Sequence, residues 1–492
     1  MNVLLIYPEV PDTFWSFKHA LRFLRKKAGS PPLGLLTVAA MLPKEWNKRL
    51  VDLQVAKLTD GDLAWADVAF VSAMTVQRKS AHEVLARCRK AGVKTVAGGP
   101  LFTIEHHLFP EADHFVLNEA ELTLAPFLAD LERGGPQRLY TASEFPPIEH
   151  TPIPLWELAD LGQYGWMSVQ YSRGCPFQCD FCNVTALFGH RPRTKTSEQV
   201  LAELDAIYNR GWRGNIFFVD DNFIGNRRRL KTDLLPALIR WQRGKSVPFL
   251  TEVSINLADD EELTHLMVEA GFSMVFVGIE TPSADGLAEC GKKQNEGRDL
   301  VADVKRLQRA GLQVQGGFIL GFDSDTPSIF QRQIDFIQQS GVVIAMVGLL
   351  QAIPGTGLYD RLRREGRVTE ALSTGDNVDG TTNIVTSMGQ KGLREGYLRV
   401  LRHIYKPKHY YRRLKTFLRE YHKPPITEKV RGEHLWAFFR STVRLGILGR
   451  ERWQYWKLLV WTYFRRRELF PMAVSLAICG YHFRRTAEAH VR

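Results

Sequence analysis

Three of the chain's six cysteines fall within eight residues, as Cys175-x-x-x-Cys179-x-x-Cys182. No other stretch of the 492 residues limits the fold and chemistry so tightly. Clustered thiols with no matching set elsewhere read as a metal or iron–sulfur site rather than a disulfide framework. Three thiolates suit a four-iron cluster with one iron left open to another ligand. A structural zinc site is the rival reading; it needs a fourth protein ligand, and His190 is the near candidate.

The chain around this loop has the composition of a globular protein, 45% hydrophobic and 24% charged. Met1 leads directly into an apolar run, Val3 to Tyr7, without a basic leader or cleavage site, and no run of ~18–20 apolar residues follows. Free, clustered cysteines then point to the reducing cytoplasm. The net charge of +12 is uneven: residues 401–492 hold 21 Lys+Arg against 6 Asp+Glu, and the remainder holds 44 against 47. A nearly neutral body makes a nucleic-acid enzyme an unlikely class.

Residues 1–140 alternate strand-like runs (Val3–Tyr7, Arg49–Leu53, Val68–Ser72, Val93–Ala97, His114–Leu117) with helical spacing (Leu33–Leu42, Val76–Ala91, Glu119–Leu131). Such alternation predicts an α/β domain, a parallel Rossmann-like or flavodoxin-like sheet that binds ligands beyond its carboxyl strand ends. Ser72-Ala-Met74 and Gly98-Gly99-Pro100 fall at those ends, although Gly-Gly-Pro is also an ordinary turn. Pro-rich residues 141–164 read as a linker.

From 165 to 375 a second alternating series follows, with strands at Met167–Tyr171, Asn215–Asp220, Phe249–Ile255, Met274–Ile279, Val314–Leu320 and Val343–Leu350. Six such units fit a partial (β/α)6 barrel, whose chemistry gathers at the carboxyl strand ends. The cysteine loop follows the first of these strands. Asp220, Asp221, Glu252, Ser254 and Glu280 end the next ones. Any one of these carboxylates also reads as a rim salt bridge; their joint placement favours a binding site.

The cysteine spacing, with Phe181 before the last Cys, resembles the cluster loop of the radical S-adenosylmethionine (SAM) superfamily. Coupled to the first domain, the chain resembles its cobalamin-binding members over about residues 1–360. The resemblance implies that Cys175, Cys179 and Cys182 hold a [4Fe–4S] cluster. It implies SAM contacts from Phe181, Asp220, Asp221, Glu252, Ser254 and Glu280. Cobalamin contacts are implied for Ser72, Met74, Gly98, Gly99 and Glu119. Asn118-Glu-Ala-Glu121 stands where that family often has Gly-Glu-x-Glu. The Asp-x-His-x-x-Gly motif that supplies a cobalt ligand elsewhere is absent, so cobalamin lacks a histidine lower ligand, and His19 reads as ordinary. Phe14, Trp15 and Phe17 fit either packing or a cover over the corrin or substrate.

The implied activity is methylation of an unactivated carbon: SAM is cleaved reductively, the resulting radical removes hydrogen, and methylcobalamin delivers the methyl group. A flavodoxin or ferredoxin serves as electron donor. Cyclisation, rearrangement or oxygenation with the same cofactors stays open. A methylthiotransferase needs a second cysteine trio, and only Cys88 lies in the first domain. A non-enzymatic cobalamin-responsive protein conflicts with a complete SAM barrel. Cys88, Cys290 and Cys479 are isolated and read as packing, although Cys290 follows the fourth barrel strand.

Residues 376–492 read as mainly helical, like an extension found in one subset of this family. Trp453, Trp456, Val460 and Phe464 share a helical face, followed by Arg465-Arg-Arg467, an apolar stretch Leu469–Cys479, and Arg484-Arg485. Two readings stay open: a peripheral contact with the inner membrane surface, consistent with a hydrophobic small-molecule or lipid substrate, and a helical cap on the barrel.

Overall fold

The computed structural model describes residues 1–369, 372–376 and 378–491, with side chains as far as residue 489. The first sheet comprises β1 (Asn2–Tyr7), β2 (Asn47–Asp52), β3 (Val68–Ser72), β4 (Lys94–Gly98), β5 (His114–Val116) and β6 (Leu139–Tyr140). All are parallel, in the order β2-β1-β3-β4-β5-β6. That is the flavodoxin-like order with one strand added at the edge. The added strand, β6, has only two residues, too few to give a period in the sequence. Alternate residues serve opposite faces: Leu4, Ile6 and Val71 enter one core, and Val3, Leu5 and Phe70 the other. Helices cover both sides, so the central strands β1 and β3 are almost wholly apolar, whereas the edge strand β2 opens on Asn47, Lys48 and Arg49.

The second sheet contains β7 (Met167–Val169), β10 (Ile216–Phe218), β11 (Phe249–Val253), β12 (Phe272–Glu280), β13 (Gln313–Leu320) and β14 (Ala345–Leu349). A small antiparallel ribbon, β8 (Ser172–Arg173) with β9 (Arg193–Thr194), brackets the cysteine loop. The order β14-β13-β12-β11-β10-β7 is sequential and parallel, which is the expected partial barrel. Val275, Val277 and Ile279 on β12 are fully buried against the outer helices. Their neighbours Met274, Phe276 and Gly278 are half-buried and face inward.

The helices that follow are Gln390–Tyr405, Pro407–Glu420, Gly432–Ser441, Arg452–Arg465 and Phe470–Val491. Tyr397, Leu414, Tyr455 and Phe483 share one continuous core with the barrel residues Ile344 and Phe336. Phe14 and Phe23 of the first domain enter the same core, and Phe14 stacks on Phe483 with ring centroids 5.7 Å apart. The apolar stretch after Leu469 is thus a cap: Ala473, Val474, Leu476 and Ala477 are buried. Arg413 lies wholly inside this core and donates to the carbonyls of Ile404 (3.0 Å) and Val343 (3.2 Å). Ile404 belongs to the last turn of its helix, whose unpaired carbonyls offer partial negative charge to the guanidinium.

Close approach of helices explains one glycine. A Cβ on Gly396 would lie 2.0 Å from Phe330 on the helix Ile329–Ser340. Gly396→Ala should therefore destabilise the protein by about 1–3 kcal/mol despite its better helix propensity, read as a lowered urea midpoint.

His482 is fully buried and hydrogen-bonds the Phe14 carbonyl at 3.0 Å. Burial lowers its pKa from 6.5 to about 4. The folded state thus holds it neutral, and its contribution is present above the unfolded pKa and lost as pH falls through about 4. His482→Gln should remove about 3 kcal/mol of the acid-dependent stability loss between pH ~7 and ~4. Paired wild-type and variant unfolding curves at each pH check this difference.

Candidate cofactor site at the barrel mouth

The cysteine loop leaves β7 at the carboxyl end of the barrel. Asp220, fully buried at the end of β10, shapes its start. Its carboxylate accepts the Tyr171 amide (3.1 Å), the Ser172 amide and the Ser172 hydroxyl (2.6 Å). Asp220 was expected among the SAM contacts; the structure instead spends both its oxygens on the backbone that carries the cysteines. Burial raises its pKa to about 7. Ser254, expected to play a similar part, is turned to Asn256 (2.7 Å) and Asn222 (3.4 Å).

Burial pushes the Cys182 thiol up to about 12 and raises Cys175 as well, and the neighbouring Cys179 adds to both shifts. The three sulfurs therefore act on one another, and their thiolate forms call for a compensating cation. Among the described residues, no three His, Cys, Asp or Glu side chains converge tightly enough for one metal ion, and His190 is exposed. That spread does not suit a zinc site, whereas a four-iron cluster takes each thiolate on a different iron. Gln294 donates to the Cys179 sulfur at 3.7 Å while its own carbonyl oxygen is buried without a partner. An orphaned acceptor beside the sulfurs fits a bound group there.

Glu280 ends β12 just after a register break at Gly278, and it holds a left-handed φ of 63°. The bulge and the strained backbone re-aim its carboxylate. It pairs with the part-buried Lys292 at 2.6 Å. A Cβ on Gly278 would come within 2.4 Å of the carboxylate and 2.8 Å of the Lys292 ammonium, so a side chain there would displace the pair. Burial works against the charge on Lys292, but Glu280 and Cys179 outweigh it and raise its pKa. The Lys292 ammonium also lies 5.9 Å from the Phe181 ring. Glu280 is thus engaged by a lysine that the sequence analysis passed over.

Asp221 and Glu252 differ from these. Neither has a side-chain partner among the described residues. Burial raises Asp221 to about 6. Burial, with repulsion from Asp221 and Asp220, raises Glu252 to about 8. Lys292 pulls the other way on Glu252 without pairing with it, and two crowded carboxylates with no ion-pair partner fit a ligand bearing an ammonium or sulfonium group.

The carboxyl ends of β3 and β4 lie side by side on the first domain. Gly99 has a φ of 89°, and a Cβ there would strike the Ser72 hydroxyl at 2.6 Å. Met74 is 43% exposed beside it. Glycine at 99 thus serves the positive φ and the close packing on Ser72, and Met74 is the exposed side chain at these strand ends. Gly98 is likewise required by packing: a Cβ would meet the Val116 carbonyl on β5 at 2.7 Å.

Glu119, expected at cobalamin, is held by two arginines. Its buried carboxylate takes Arg193 at 2.6 Å and Arg173 at 2.5 Å, and Arg173 also pairs with Glu121 at 2.9 Å. Burial works against the charge on Arg173, yet Glu121 and Glu119 raise its pKa. Both arginines belong to the ribbon β8–β9, so this network clamps the first domain to the cysteine loop. The remaining cysteines are inert: Cys88 is in the first domain's core, and Cys290 is buried with its thiol against the Leu287 carbonyl at 3.5 Å. Cys479 packs half-buried against the main core. The Cys290 carbonyl does serve the loop, accepting the Asp180 amide at 3.0 Å.

Comparison with known proteins agrees with this geometry. Residues 169–337 match the model of the radical SAM superfamily, and residues 356–492 match a domain of unknown function, DUF4070. The chain is 41% identical to an uncharacterized methyltransferase of Synechocystis sp. over 414 residues, which cover 83% of this chain and 77% of that one. It is 38% identical to the hopanoid C-2 methylase of Rhodopseudomonas palustris over 385 residues, covering 77% and 73%. Among solved structures, the cobalamin-dependent SAM radical enzyme OxsB, with aqua-cobalamin and SAM bound, shares the fold at a TM-score of 0.64 and 15% identity. That match spans 100% of this chain and 80% of OxsB. Among the described residues no helix is long and apolar enough to cross a membrane. The chain belongs to the radical SAM superfamily, as an enzyme of the methyltransferase family that includes the hopanoid C-2 methylase, with a [4Fe–4S] cluster and SAM as its cofactors.

Proposed function

We propose that this protein methylates an unactivated carbon of a hydrophobic, lipid-like small molecule and uses cobalamin as the methyl carrier. The observation that carries the substrate class is the inner face of the barrel. Phe217, Leu250, Met274, Phe276 and Ile319 all point inward and are only half-buried. Trp15, from the loop after β1, lies over Phe276 with centroids 5.1 Å apart. A Cβ on Gly317 would come within 2.9 Å of the Phe276 ring, so glycine leaves the ring its place. An apolar lining of this kind favours a substrate with little polar surface.

The cofactors, when bound, supply homolytic hydrogen removal from an unactivated C–H bond and a methyl group to replace it. The chain's residues do the rest. Cys175, Cys179 and Cys182 would hold the cluster, and Lys292 would fix Glu280 beside it. Asp221 and Glu252 suit the cationic groups of SAM. Ser72, Met74 and Gly99 would face the corrin. Trp15 and Phe276 orient the substrate and keep water from the reacting carbon. An electron enters from a small carrier such as a flavodoxin or ferredoxin. The relative named for hopanoid methylation supports a polycyclic isoprenoid as the substrate type.

The test is deuteromethyl-methionine labelling of cells with and without this gene, with mass spectrometry of lipid and polar extracts. A gene-dependent trideuteromethyl gain in the lipid fraction is expected. A gain confined to a polar metabolite would overturn the substrate class and keep methyl transfer. No methyl gain, with another metabolite lost, would replace methylation by cyclisation or rearrangement.

A further inference from the structure

The two helices Gly432–Ser441 and Arg452–Arg465 carry an apolar surface that no other part of the described chain covers. Between them the chain turns at residues 448–451, and the Trp456 indole fixes that corner by donating to the Gly446 carbonyl at 3.0 Å. At the corner Ile447 is 58%, Leu448 67% and Trp453 68% exposed. On the flanks Trp436, Phe439 and Phe464 are likewise mostly exposed. The expected face of Trp453, Trp456, Val460 and Phe464 thus exists and faces outward. Exposed apolar groups this dense mark an interaction surface.

Charge identifies what meets it. From Leu435 to Arg467 there are eight Lys and Arg and one acid, Glu451. That glutamate is buried in a pair with Arg484 at 2.6 Å. Arg450, Arg452, Lys457 and Arg465 are exposed around the apolar corner. A second copy of this face would set like charges against like, which opposes a self-complementary dimer. Aliphatic side chains at the tip, Ile447 and Leu448, have no counterpart in a nucleic-acid backbone. Trp, Tyr and Phe beside Arg and Lys are suited to the boundary between anionic headgroups and acyl chains.

We infer that this corner docks the enzyme on the surface of an anionic lipid bilayer, inserting Ile447, Leu448 and Trp453 into one leaflet. This inference does not rest on the substrate reading above, because it concerns a different face of the molecule.

Flotation of the full-length protein with phosphatidylcholine vesicles, with and without phosphatidylglycerol, tests it. The wild type should float with the anionic vesicles and float less with rising salt. Ile447→Glu/Leu448→Glu/Trp453→Glu should lose at least about tenfold of this partitioning. These side chains lie outside the core, so the thermal midpoint and bound iron should hold, which separates lost docking from misfolding. Arg450→Gln/Arg452→Gln should lower binding to anionic vesicles about fivefold per residue and leave the phosphatidylcholine background unchanged. A wild type that stays with neither vesicle overturns the inference, as does a triple variant that floats undiminished. Self-association in light scattering, abolished by the triple variant, would assign the face to a second copy instead.

Discussion

Replacing any one of Cys175, Cys179 or Cys182 with Ala should bring bound iron and sulfide to background and abolish SAM cleavage. Each thiolate would hold a different iron of the proposed cluster, so losing one would leave too few ligands to retain it. Two controls make the result specific. Cys290→Ser should keep full iron, because its thiol is turned to the Leu287 carbonyl. His190→Ala should also keep it, because that ring is exposed. Iron retained in a cysteine variant would overturn that thiol as a ligand, and metal lost on removal of His190 would restore the zinc reading. Visible absorbance of the reconstituted protein and iron analysis measure both. The apo fold should survive these changes, because the three cysteines are outside the barrel's buried core.

Glu119→Ala should be the most damaging single substitution outside the cores. It removes a carboxylate of 4% exposure that serves Arg173 and Arg193 together. Breaking a buried pair strands its partners, and the cost is about 3–5 kcal/mol. Arg173 retains Glu121, whereas Arg193 retains no carboxylate, only the carbonyls of Pro146 and Phe188 and the Phe145 ring 5.3 Å away. The loss should appear as a shifted urea midpoint and, because Arg173 is two residues before Cys175, as reduced iron loading. Glu119→Gln keeps the acceptor and should fall between the two. A change below ~0.5 kcal/mol would show that the network behaves like a solvated surface pair.

The alternation of strands and helices made both parallel sheets legible, since each buried strand is an apolar run between polar turns. The cysteine loop was legible because thiol spacing is local chemistry. What the sequence concealed were the partners of the barrel-end polar groups. Asp220 and Asp221 are adjacent in the chain, yet strand geometry sends one to the loop backbone and leaves the other unpaired. Glu119 looked like a ligand contact because the arginines that claim it lie 54 and 74 residues away. Lys292 and Gln294 carried no signal, because a Lys-Lys-Gln-Asn run after a helix reads as surface. The C-terminal segment divided between its two readings: the last helix is a cap, and the pair before it is exposed.

The continuous core that joins barrel, final helices and Phe14 limits how this enzyme can diversify. Exchanging the C-terminal helices between relatives would leave Phe483 and His482 facing a foreign loop after β1, and Tyr405 against a foreign β14. A viable chimera must carry residues 14–23 along with the helices that pack on them. Variation in substrate range within such a family is then most accessible through point changes on the inner barrel face, where half-exposed residues such as Phe276 and Ile319 only border the cores.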